Sequence, residues 1–182
     1  MTQTASITKG GEEASASSLG FELPERRDLF DSEEVSEAMA KVHALVCVRE
    51  RTEKEVLNRL LEAGFDHETA YKASGRAVEC GLVSDDRYAA AYISGKTHSG
   101  WGKQKIIQGL IDNGVSSQII EKHSDLFSSA EEEMNQALKL CAKYSTHSKN
   151  PRATLLRRLV SKGFSYELSS RAVDEFMSMA AE

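Results

Sequence analysis

The chain has 182 residues, 40% hydrophobic, 28% charged and 7% aromatic, enough apolar material for a core and too much for wholesale disorder. Two prolines and twelve glycines exclude collagen-like and proline-rich classes. The formal charge of −5 sits at the start: residues 1–35 hold three basic and eight acidic side chains, leaving 20 of each sign in the other 147. The longest apolar run, Ala44 to Val48, is far below the ~20 residues of a membrane span. No basic start leads into an apolar stretch, so no secretory signal is expected. Cys47, Cys80 and Cys141 are too few and too scattered for a disulfide framework. The expected compartment is the cytoplasm, with no membrane contact.

Residues 1–34 read as a disordered acidic N-terminal tail, poor in large apolar groups at least as far as residue 20. Phe21, Leu23, Leu29 and Phe30 are either incidental or a docking element. From residue 35 the periodicity is helical. Val35, Ala38, Met39, Val42, Leu45 and Val46 recur at spacings of three and four, which marks one buried helix face. A second helix opens on Thr52 and Glu55, the pattern of a capping box. Its stripe of Val56, Leu57, Leu60 and Leu61 stops at Gly64. A third helix runs from about His67 to Cys80.

The phrase then returns. Val56-Leu57, Leu60-Leu61, Gly64-Phe65 is echoed by Ile106-Ile107, Leu110-Ile111, Gly114-Val115, and again by Leu155-Leu156, Leu159-Val160, Gly163-Phe164. Register and glycine repeat together, so the chain reads as an all-α array of three tandem three-helix repeats, residues 35–83, 84–128 and 129–182. First helices of the later repeats are expected over about Asp85–Lys96 and Ala130–Tyr144. Ser116, Ser165 and Asn150-Pro151 are helix-start signals. A helix-turn-helix alone cannot bury its stripe, which predicts one continuous core shared by neighbouring repeats.

Catalysis finds little support. Gly100-Trp101-Gly102-Lys103 lacks the strand that precedes a phosphate loop. The five histidines never fall at i, i+3 or i, i+4, so no helix offers a metal two nitrogens. His43 reads as a packed or partly exposed core histidine, and the cysteines as small buried hydrophobes. Asp85 and Asp86 read as caps of their own helix beside Ser84. Neither enzyme activity nor a cofactor nor a metal is expected.

What stands out is charge. Lys139 to Arg171 contains eight cations and one anion, Glu167. Lys96, Trp101, Lys103 and Lys105 surround the second repeat's glycine-rich turn, and Lys149, Arg152, Arg157, Arg158 and Lys162 occupy the matching turn and helix of the third. Such a stripe attracts an anionic partner whatever the net charge, and the two glycines let a backbone approach something closely. The alternative is a solvated face with a packing tryptophan.

These residues resemble the RecX proteins, bacterial regulators of the RecA recombinase. The resemblance rests on Asp85-Asp86-Arg87-Tyr88-Ala89, Tyr92-Ile93, Lys96, Gly100, Gly102, Lys105-Ile106, Leu110 and Gly114-Val115, and on Glu55, Leu60, Gly64-Phe65 and Gly81 to Asp86. Lys96 and Lys105 stand where the family commonly has arginine, and Gly109 where it usually has an acidic residue. The resemblance implies an elongated, curved array of three repeats, and a monomer is expected. It also implies a non-enzymatic function, binding the RecA nucleoprotein filament and modulating, mostly inhibiting, its recombinase, ATPase and coprotease activities in DNA repair and the SOS response. Single- or double-stranded DNA is a second implied partner. Arg87 joins the nine stripe residues as a candidate contact. The rival reading is a direct DNA-binding protein of tandem helix-turn-helix type.

Overall fold

The computed structural model describes residues 33–144 and 149–179. The expectations for the acidic tail up to residue 32, and His147, lie outside them. The described residues form α1 (Glu33–Val46), α2 (Glu53–Glu62), α3 (His67–Glu79), α4 (Asp85–His98), α5 (Lys103–Asp112), α6 (Ser117–Lys122), a 3-10 turn (Ser124–Leu126), α7 (Ala130–Lys143), α8 (Pro151–Lys162) and α9 (Tyr166–Met179), without a strand. The first helix begins on Glu33 and Glu34, two residues inside the stretch assigned to the tail, where carboxylates favour the positive end of a helix.

The repeated glycine has a common physical basis. Gly64, Gly114 and Gly163 have φ of +97°, +90° and +94°, a region costly for any residue with a Cβ. At each, the amide after the glycine returns to a carbonyl five residues back: Phe65 N to Leu60 O at 3.2 Å, Val115 N to Leu110 O at 3.0 Å, Phe164 N to Leu159 O at 3.2 Å. The glycine amide bonds three residues back. This is the Schellman closure, and it accounts for the apolar residue after each glycine, which packs on its own helix.

Buried apolar residues fall into three clusters, each drawn from three helices. Val42, Val56, Leu60 and Ala73 lead the first; Ile93, Ile106, Leu110 and Val115 the second; Leu155, Leu159, Phe164 and Val173 the third. The expected continuous core is therefore absent. Each group of three helices buries its stripe on itself, because the third helix supplies the face that a two-helix unit lacks.

Several local expectations are also corrected. Thr52 caps α2 by accepting the Glu55 amide at 3.1 Å, but the Glu55 carboxylate turns to Arg49 and Arg51 instead of completing the box. His43, Cys47 and Cys80 are exposed, and only Cys141 is buried.

Candidate functional site

Polar joints hold the three helix groups together, and the same joint is built twice. At the first, Thr52 Oγ1 donates to Asn113 O at 2.8 Å and Lys54 Nζ to Asp112 O at 3.0 Å. At the second, Gly102 N donates to Lys162 O at 2.9 Å and Lys105 Nζ to Ser161 O at 3.1 Å. Asn113 and Lys162 occupy the same repeat position, as do Asp112 and Ser161. So the end of α5 meets the start of α2, and the end of α8 meets the start of α5. Carbonyls left over at one helix end satisfy donors at the next, with the dipoles head to tail.

A third contact repeats too. Asp85 accepts the Glu53 amide at 3.0 Å, and Glu133 accepts the Lys103 amide at 3.0 Å. Asp85 thus caps the preceding group's middle helix rather than its own. Asp86 instead meets Lys122 Nζ at 2.6 Å, a hydrogen bond that holds its carboxyl below the ordinary 3.8. At α8 the series ends, for Asn150 caps the helix itself by accepting the Ala153 amide at 3.1 Å, and Pro151 opens it.

The glycine-rich turn resolves into these jobs. Gly100 (φ +71°) closes α4, with the Trp101 amide returning to Lys96 O at 3.0 Å. A Cβ on Gly102 would lie 2.3 Å from the Gly163 backbone, and one on Gly163 2.2 Å from Lys105 Cβ. The close approach expected at Gly102 is made by the chain's own third group. Half-buried Trp101 is the seat of two ammoniums, Lys96 Nζ at 4.3 Å and Lys105 Nζ at 4.6 Å from a ring centroid. Neither lysine has a carboxylate partner among the described residues. Lys96 also lies 5.2 Å from the Tyr92 ring, which stacks on Tyr88 at 5.6 Å. Burial raises both phenols above their ordinary value. Gly109 makes room for Tyr92, whose hydroxyl lies 2.4 Å from where a Cβ would stand.

The remaining candidates divide by engagement. Arg87 is tied to the first group, with Nε to Glu50 at 2.9 Å and an amino group to Gly81 O at 3.0 Å and Leu82 O at 3.2 Å. Arg152 forks onto Asp174 at 2.7 and 3.0 Å, a pairing that raises its own pKa and lowers that of Asp174. Lys103 Nζ lies 5.2 Å from the Phe127 ring, and Arg158 lies 4.7 Å from that of Tyr144. Lys149, Arg157 and Lys162 have no ion pair or ring partner among the described residues. Lys149, Arg157 and Arg158 are exposed, and Lys162 is half-buried. Sequence reasoning missed Thr52, Lys54, Asp85 and Glu133 as joint residues. The repeat carries part of their signal, since Thr52 and Gly102 stand at the same repeat position, whereas the donors Lys54 and Lys105 and the acceptors Asp85 and Glu133 are each displaced by one residue.

Nothing described assembles into reactive chemistry. Burial pushes the Cys141 thiol up, away from the thiolate. Among the described residues no three His, Cys, Asp or Glu side chains converge on a metal site, and no helix is long and apolar enough to cross a membrane.

The architecture and the turn residues have counterparts. A family profile described as RecX, second three-helix domain, matches residues 84–123. Over 166 residues the sequence is 31% identical to the regulatory protein RecX of Clostridium perfringens strain SM101, covering 82% of this chain and 77% of the relative. The chain belongs to the RecX family. A second C. perfringens RecX, from strain 13, is 34% identical over 131 residues, which cover 68% of this chain and 60% of the relative. The chain likewise spans about half the length of the Lactococcus lactis MG1363 RecX, at 31% identity. In fold it resembles the crystal structure of RecX from Lactobacillus salivarius, with a TM-score of 0.64 and 20% identity over 79% of this chain and 97% of that one. A second RecX crystal structure gives a TM-score of 0.70 at 21% identity, covering 85% and 81%.

Proposed function

We propose that this RecX-family chain binds the RecA nucleoprotein filament and holds back its recombinase, ATPase and coprotease activities, acting by binding and turning over nothing itself. The observation that carries the reading, beside family membership, is the division among the cations. Arg87 and Arg152 are paired with carboxylates and Lys105 is held on Ser161 O, whereas Lys149, Arg157 and Lys162 have neither an ion pair nor a side-chain hydrogen bond among the described residues. Charge without an internal partner sets the potential that a polyanionic filament feels. The same cations favour a second reading, direct DNA binding through α8 and its turn.

The deciding experiment titrates the purified chain into RecA, single-stranded DNA and ATP, and in parallel into single- and double-stranded DNA alone across a salt series. The proposal expects ATP turnover to fall with added chain, and DNA alone to be bound weakly. Tight binding to DNA alone, with a steep salt slope and unchanged RecA turnover, would favour the helix-turn-helix reading. ATP hydrolysis by the chain in the absence of RecA would contradict both.

A further inference from the structure

A cavity of about 800 Å³ lies between the end of α4, the 3-10 turn and α7, and its walls include His98, Asp125, Phe127, Glu132, Gln136 and Lys139. No joint contact uses it, and its chemistry is opposite to that of the basic positions. We infer that this recess receives an arginine side chain from a protein partner. Four observations converge on a long cationic side chain. Gln136 lines the recess and keeps its Oε1 buried with no hydrogen-bond partner, an acceptor that a donor reaches only when the side chain turns, while its amide nitrogen donates to Ser128 Oγ at 3.4 Å. Asp125 enters no ion pair among the described residues, so its carboxylate is unspent. The C-terminal, negative end of α4 forms one wall. Phe127 supplies an apolar wall that already attracts a cation, the Lys103 ammonium 5.2 Å from its ring.

The other titratable groups of the walls are accounted for. Glu132 caps α7 with Ser129, and His98 Nδ1 bonds Ser94 O at 2.8 Å. Lys139 is the single lysine or arginine among the lining residues, and the Lys103 ammonium stands at the Phe127 ring, against two lining carboxylates of which Asp125 has no internal partner among the described residues. An anion would meet two carboxylates, and among the described residues no three metal-ligating side chains converge. A planar guanidinium suits the recess better than an ammonium, because it stacks on a ring and donates to two acceptors at once. Only the identity of the partner rests on the filament reading; the recess stands on its own geometry.

The test uses the full chain, labelled with nitrogen-15, and titrates N-acetyl-arginine methylamide against the norleucine analogue. Arginine is expected to shift the amides of Asp125, Phe127 and Gln136, and norleucine to leave them in place. Asp125→Asn should weaken the arginine response roughly 5–10-fold, the loss of one charge-assisted hydrogen bond. Gln136→Glu should strengthen it. Equal response to both amides, or an arginine response indifferent to both substitutions, overturns the inference. In the RecA assay, a wild-type chain that slows turnover and an Asp125→Asn chain that slows it equally would also overturn it, leaving the filament reading intact. A wild-type chain without effect on RecA defeats the filament reading, and the titration alone then decides the recess.

Discussion

The second and third helix groups carry the same conspicuous signal, lysine and arginine in a turn and the helix that follows, and they spend it differently. In the second, Arg87 is bonded to the first group, Lys105 bridges to the third, and Lys96 shares the Trp101 ring with it. In the third, Arg152 is paired within the group, and Lys149, Arg157 and Lys162 are left without an ion pair among the described residues. A cation's residue type therefore does not tell whether it builds the molecule or faces a partner. The acceptor it meets decides. Where a middle helix ends against another, backbone carbonyls need donors and lysine supplies them. The N-terminus of α8 is capped by its own Asn150, and Lys149, Arg157 and Arg158 are exposed.

Substitutions can separate these roles. The largest loss of stability is expected inside a core: Phe164→Ala empties a fully buried site and should cost about 3–5 kcal/mol in denaturant unfolding. Next come the joints. Gly163→Ala places a Cβ 2.2 Å from Lys105 Cβ at φ +94°, whereas Gly64→Ala meets open space at φ +97°. Both pay backbone strain of about 1–2 kcal/mol. Only the first also displaces a neighbour, so Gly163→Ala should cost about 1–3 kcal/mol more. Equal losses would remove the joint from the account.

The glycine comparison also marks where sequence reading succeeds. Three Schellman closures were legible because each needs a glycine and a following apolar residue at fixed offset, information carried within one helix. The joints were not. The same sequence signal that identifies a closing glycine says nothing of the lysine stem packed against it, which comes from the preceding repeat. The continuous core was expected because a two-helix phrase was the visible repeat; α3, α6 and α9 diverge in sequence and yet complete the cores. At the candidate site, the cluster of cations was legible, and their division into bonded and unbonded was not.

A smaller effect concerns pH. Asp86 and Asp174 are held below 3.8 in the folded state by hydrogen bonds from Lys122 and Arg152. Groups with depressed folded values stabilise the fold above the unfolded value and lose that contribution as pH falls through the folded value. The Asp86→Asn, Asp174→Asn double variant should therefore show a shallower fall in melting temperature below about pH 4. An unchanged acid limb would mean that neither pair matters to folding.

The smallest stability effect belongs to the residues of largest expected functional effect. Arg157→Glu with Arg158→Glu removes no ion pair among the described residues and only one ring contact, Arg158 over Tyr144, and should move the melting temperature by less than about 4 °C. Lys105→Glu, by contrast, sets a carboxylate against Ser161 O and is expected to destabilise the second joint, so loss of function there would not isolate a partner contact. The direct test of the central claim is the concentration of chain needed to halve RecA-dependent ATP turnover on single-stranded DNA, measured for wild type and for the folded Arg157→Glu, Arg158→Glu variant. The account predicts a shift of at least about tenfold to higher concentration, shrinking as salt is raised. Superimposable titrations would contradict it and return α8 to the status of a solvated helix face.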